Sequence, residues 1–94
     1  MKRSFLQALF EGDGSCSSLP RNTIQISYST RSRQLAVDVQ QLLLEFGVVS
    51  HRYRHATGEH KVVITNRGHA EAFAAQVGFG GAKQQKLREI LSTL

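Results

Sequence analysis

Residues 6–14 read LQALFEGDG, an apolar helical run that ends in two carboxylates set among glycines. Ser4 followed three residues later by Gln7 is a capping-box spacing, which predicts a helix opening at Phe5. The run Phe5–Phe10 continues it, and Gly12 predicts its stop. Ala8 and Gly12 are four apart and share one helical face, where small side chains let another backbone approach closely. Glu11 and Asp13 then fall at the C-terminal end, which already carries the negative pole of the helix. A carboxylate there costs about 0.3–1 kcal/mol. A chain that accepts this cost has either a solvated helix end or a cation to hold.

Outward from this helix, the hydrophobic period alternates between two and about 3.6 residues. SCSSLP (15–20) predicts a short strand closed by Pro20. NTIQISYST (22–30) alternates Ile24, Ile26 and Tyr28 with Gln25, Ser27 and Ser29, the pattern of a half-buried strand. RSRQLAVDVQQLLLEFG (31–47) switches to a helical stripe of Leu35, Val39, Leu42, Leu43 and Phe46, with Gly47 as its stop. VVSHRYRH (48–55) alternates again, with Val49, His51 and Tyr53 on one side and Ser50, Arg52 and Arg54 on the other. ATGE supplies a turn, and HKVVIT returns with Val62 and Ile64 inward. Asn66 predicts a helix cap, and a glycine-rich turn leads to a last helix through Lys86, Leu87, Ile90 and Leu91. The order is αββαββα(α), a single α+β domain over residues 1–94 with an antiparallel sheet.

The 94 residues carry 12 Lys and Arg against 7 Asp and Glu, a net charge of +5. That balance favours a polyanion, and nucleic acid ranks ahead of membrane because no helix pairs one apolar face with a Lys/Arg-rich one. The polar strand faces match this. Gln25, Ser27 and Ser29, with Arg52, Arg54, Glu59 and Lys61 from the hairpin, suit the edges and phosphates of a duplex major groove. One cysteine, Cys16, excludes an internal disulfide. With no apolar span and no signal segment, an intracellular, cytoplasmic setting is expected. His51, His55, His60 and His69 with Cys16 fit no zinc spacing. GFGGAK lacks the spacing and preceding strand of a phosphate-binding loop.

The stretch LQALFEGDG resembles the signature of the LAGLIDADG homing endonucleases: Leu6, Leu9, Asp13 and Gly14 match the consensus letters, and Ala8, Phe10, Glu11 and Gly12 are common replacements. YSTRSRQLAVDVQQLLLEFGVVSHRY reads like the segment after the motif in intein endonuclease domains, and VGFGGAKQQKLREIL is similar to the family's closing segment. The resemblance covers nearly the whole chain in the expected element order. It implies a site-specific endonuclease of double-stranded DNA, with two signature helices packed together through Ala8 and Gly12. Asp13, with the Gly12 carbonyl beside it, would hold Mg²⁺ or Mn²⁺. Lys83, with Lys86 as the next lysine along, would supply the basic pocket, and Arg31 would help order water. Glu11 takes a supporting role. Only one signature copy is present, and splicing elements are absent. The resemblance therefore implies a homodimerising half, or a half whose partner lies elsewhere. A DNA-binding regulator or an RNA maturase of the same fold is the alternative.

Overall fold

Two apolar strand faces and four helical stripes need a common interior, and the chain provides it in two layers. A computed structural model describes residues 2–20 and 23–93. Its elements are α1 (Lys2–Asp13), β1 (Gly14–Leu19), β2 (Thr23–Thr30), α2 (Arg33–Glu45), β3 (His51–Arg54), β4 (His60–Ile64), α3 (Arg67–Gln76) and α4 (Ala82–Thr93). The expected α+β order is realised. The four strands form one antiparallel sheet in the order β1-β2-β4-β3.

All the helices pack on one side of the sheet. Ile24, Ile26 and Tyr28 of β2, Val62 and Ile64 of β4 and Cys16 of β1 meet Leu6, Phe10, Ala36, Val39, Leu43, Phe73 and Leu87 in one core. Truncating one of its large side chains to alanine would cost about 2–5 kcal/mol. Among the described residues, the other side of the sheet bears no helix.

Local chemistry accounts for most boundaries. Ser32 caps α2 by accepting from the Leu35 amide at 3.1 Å, and Asn66 caps α3 by accepting from His69 at 3.2 Å. Gly47 ends α2 at φ +77°, a conformation that favours glycine. The first helix departs from expectation. It begins at Lys2, so Ser4 lies inside it, and the Gln7 side chain donates instead to the Val77 carbonyl at 3.1 Å. A tertiary bond to the end of α3 has taken the group that a capping box would have used. The strand expected from Asn22 is seen from Thr23, and Asn22 itself lies outside the described residues.

Candidate functional site

The end of α1 is held from beneath and from one side. Beneath it, Phe10 packs on Phe73 (ring centroids 4.9 Å) and Tyr28 (5.4 Å), and Phe79 closes on Phe73 at 5.3 Å. Gly14 opens β1 directly after the helix because a Cβ there would stand 2.5 Å from the Phe10 carbonyl oxygen. From the side comes the start of α4. Lys83 Nζ donates to the Glu11 carbonyl at 2.6 Å and approaches that of Phe10 at 3.5 Å. In return the Glu11 carboxylate accepts from the Gly80 amide at 2.9 Å. An ammonium on the terminal carbonyls offsets the negative pole of the helix. Among the described residues, then, Lys83 is a cation held at this acidic helix end.

Glu11 is thereby committed to the α3–α4 turn, and Asp13 is left as the exposed carboxylate of the pair. Tyr28 lies across the sheet from Gly14. Burial pushes its phenol above the ordinary range, and the nearby Asp13 charge adds to the rise while a bond with the Thr30 side chain opposes it. Burial likewise raises the Cys16 thiol, against the pull of Lys86 and Lys83. Arg31 is exposed just beyond β2, and no bond joins it to Asp13 or Lys83 among the described residues. The structure therefore assembles Asp13, Gly12, Glu11 and Lys83 at one helix end, with Arg31 following the strand that pairs beside it.

Ala8 and Gly12 are both exposed, and a Cβ added to Gly12 would meet nothing within 4 Å. Phe5, 46% exposed, continues the same bare side of α1 toward its start. Nothing within the described chain requires these side chains to be small.

The helix-free face of the sheet follows from the register. Ser15 and Ser17 of β1 pair with Ser27 and Gln25 of β2, and Ser29 pairs with Lys61 of β4. Directly opposed residues point to the same face, so these side chains form one polar surface. Ser15 and Ser27 hydroxyls lie 3.0 Å apart, and Lys61 Nζ donates to Ser29 Oγ at 3.0 Å.

The hairpin corrects one expectation. His51 pairs with Val63 and Tyr53 with Lys61, so His51 and Tyr53 lie on the open face. Arg52 pairs with Val62 and Arg54 with His60, which places both arginines on the helix side, opposite to Gln25, Ser27 and Ser29. The Arg52 Nε bond to Gln40 Oε1 of α2, at 3.3 Å, shows the same orientation. Glu59 stays in the turn, where its backbone carbonyl accepts from the His55 amide at 2.7 Å and its carboxylate from Thr57 at 3.3 Å. Sequence reasoning missed Ser15, Ser17, His51, Tyr53 and Val63 as members of the open face. The alternation of residues 48–55 carried the signal, but its parity was assigned by apolar character.

For a divalent cation, the described chain offers the Asp13 carboxylate and the carbonyls of the helix end. No three of His, Cys, Asp and Glu gather into a metal-binding group among the described residues. Hard oxygen donors of this kind fit Mg²⁺ or Mn²⁺, which keep several waters and take phosphate oxygens as further ligands. One carboxylate is too few to hold such an ion by itself. No described helix is long and apolar enough to cross a membrane.

Residues 1–78 match the family model described as a LAGLIDADG-like domain. The chain is 79% identical over 94 residues to the A-type subunit of DNA gyrase from Mycobacterium gordonae, covering the whole chain and 17% of that relative. It therefore spans less than a fifth of that relative's length. Among solved structures, it is similar to the homing endonuclease I-CvuI in complex with a DNA target (TM-score 0.75, 9% identity, 97% of this chain and 64% of that one). It is also similar to the archaeal intron-encoded homing endonuclease I-Vdi141I complexed with DNA (TM-score 0.68, 14% identity, 97% and 67%). At these identities the structural likeness speaks to the fold.

Proposed function

The chain belongs to the LAGLIDADG-like domain family, and on that premise we propose that it is one half of a metal-dependent, site-specific endonuclease of double-stranded DNA. Its place in a much longer gyrase relative, together with the single signature copy, supports reading it as the endonuclease half-domain of an intein, working inside the cell. The observation that carries the proposal is the exposed Asp13 carboxylate at the end of a helix whose Ala8–Gly12 face is bare.

In this reading two copies of α1 pack through Ala8 and Gly12, bringing two Asp13 carboxylates to the centre of the assembly. Asp13 and the Gly12 carbonyl would hold Mg²⁺ or Mn²⁺, which when bound supplies charge stabilisation at phosphate and a more acidic water. Asp13 binds and orients. Glu11 is a brace, since its carboxylate accepts from Gly80. Lys83 stands at the same helix end as the basic residue of the site, and Arg31 would help order the attacking water. Gln25, Ser27, Ser29 and Lys61 face the duplex, with an amide, hydroxyls and an ammonium to meet base edges or phosphates.

The test compares nicking of duplex DNA by the parent and by Asp13→Asn, with Mg²⁺ and with a chelator. Metal-dependent cleavage by the parent alone is expected, with the fold and metal-free DNA affinity retained or raised in the variant. Cleavage that persists in Asp13→Asn would move the site elsewhere. A parent that binds without cleaving would favour a regulator or a maturase.

A further inference from the structure

Building on the reading of the open face as a DNA surface, we infer that edge strand β3 serves the duplex from both its sides. His51 and Tyr53 meet base edges, while Arg52 and Arg54 reach past the free edge to a flanking phosphate backbone. The register alone separates the two pairs. Strand β3 ends the sheet order, so among the described residues no strand lies beyond its outer edge.

Each pair has the chemistry for its side. The ion pairs found among the described residues are Lys2–Glu45 and Arg67–Glu71, so neither Arg52 nor Arg54 has a carboxylate within 4.0 Å. The Arg52 bond to Gln40 is to a neutral amide and leaves its charge uncompensated. Both arginines are exposed, and a guanidinium without a carboxylate is suited to a phosphate oxygen pair. On the other face Tyr53 is 47% exposed, an aromatic ring that contributes nothing to the core. His51 stands opposite Val63, which is 6% exposed yet belongs to no part of the core cluster. The exposed Tyr53 ring gives this polar face an apolar contact that can distinguish a thymine methyl from other base edges.

The two kinds of contact leave different signatures, because phosphate contacts are blind to sequence and salt-sensitive whereas base contacts carry the sequence preference. The experiment selects preferred sites from a duplex library without divalent metal and measures log K against log salt. It uses the full chain as parent, as Tyr53→Ala, and as the double variant Arg52→Gln, Arg54→Gln. The double variant should flatten the slope by about 2 per bound chain, hence by about 4 for a two-copy assembly, at about 0.9 per lost phosphate contact, and weaken every selected sequence by the same factor. Arg52→Lys with Arg54→Lys should restore most of the slope. Tyr53→Ala should keep the slope and change the preferred base at one or a few positions. Unaltered unfolding temperatures at these exposed positions would show that the fold is not the cause.

An unchanged slope in the double variant, or a changed base preference there, overturns the inference while leaving DNA binding intact. An even loss of affinity with unchanged preference in Tyr53→Ala does the same. A parent that binds no duplex overturns the functional reading and this inference together.

Discussion

Alanine at Gly12 and alanine at Gly14, two residues apart in one motif, should have opposite effects. At Gly14 the new Cβ would stand 2.5 Å from the Phe10 carbonyl oxygen and 2.9 Å from its Cα and Cδ2. Backbone atoms cannot rotate aside, so the end of α1 must lift from the Phe10–Tyr28–Phe73 cluster. Overpacking of this sort costs about 1–3 kcal/mol. In a domain of this size, each kcal/mol lowers the unfolding temperature by about 4–8 °C. At Gly12 the new Cβ meets nothing within 4 Å, and the position lies within the helix. There alanine is favoured over glycine by up to about 1 kcal/mol, so the isolated chain should become slightly more stable. If α1 packs on a second α1 through this face, however, the same methyl enters the contact and costs about 1–3 kcal/mol. That corresponds to an assembly constant weakened about 5- to 150-fold. Urea unfolding at low concentration measures the first effect and sedimentation equilibrium over the micromolar range the second. A Gly12→Ala chain that assembles as well as its parent would refute the close helix contact. A parent that remains monomeric throughout would refute homodimerisation of this chain.

Replacing Lys83 with Met removes the ammonium from the Glu11 and Phe10 carbonyls and should lower stability by about 1 kcal/mol, with faster amide exchange at the end of α1. Lys83→Arg should recover most of this, and an unperturbed Met variant would show that the contact contributes little. Ser50 is buried with no partner for its hydroxyl, so Ser50→Ala should be neutral or stabilising by up to about 1 kcal/mol in urea unfolding. Burial raises the Cys16 thiol in the folded state, which therefore keeps its proton longer than the unfolded chain does. Native stability should consequently fall as pH rises above the ordinary thiol range, and alkylation should be slow until the chain unfolds. Rapid alkylation of the native protein at neutral pH would contradict this placement.

Element type and order were legible because they depend on local periodicity. Ile24, Ile26 and Tyr28 repeat every two residues and point into the core, and Gly47 and Asn66 act as the stop and cap that their chemistry specifies. The start of α1 was not legible, because Gln7 finds its partner at Val77, 70 residues away. Lys83 could be assigned to the site by resemblance alone. Its bonds to the carbonyls of α1 come from the packing of α4 against β1, which no neighbouring residue encodes.

By itself, the sequence determined an αββαββα(α) chain with an acidic helix end, one small-residue face and a basic excess. Tertiary structure decided which side of β3 faces which way. Apolar character grouped Val49 with His51 and Tyr53, yet the fold leaves Val49 45% exposed and buries Ser50 to 5%. The reason lies in the partner strand. Val62 and Ile64 are anchored in the core, and the turn closed by His55 and Glu59 fixes the register that sets Arg52 opposite Val62. A slip of one residue would reverse both faces of β3, but it would require the turn to change length or β4 to leave the core. An edge strand with weak apolar preference on either side takes its orientation from the strand it pairs with.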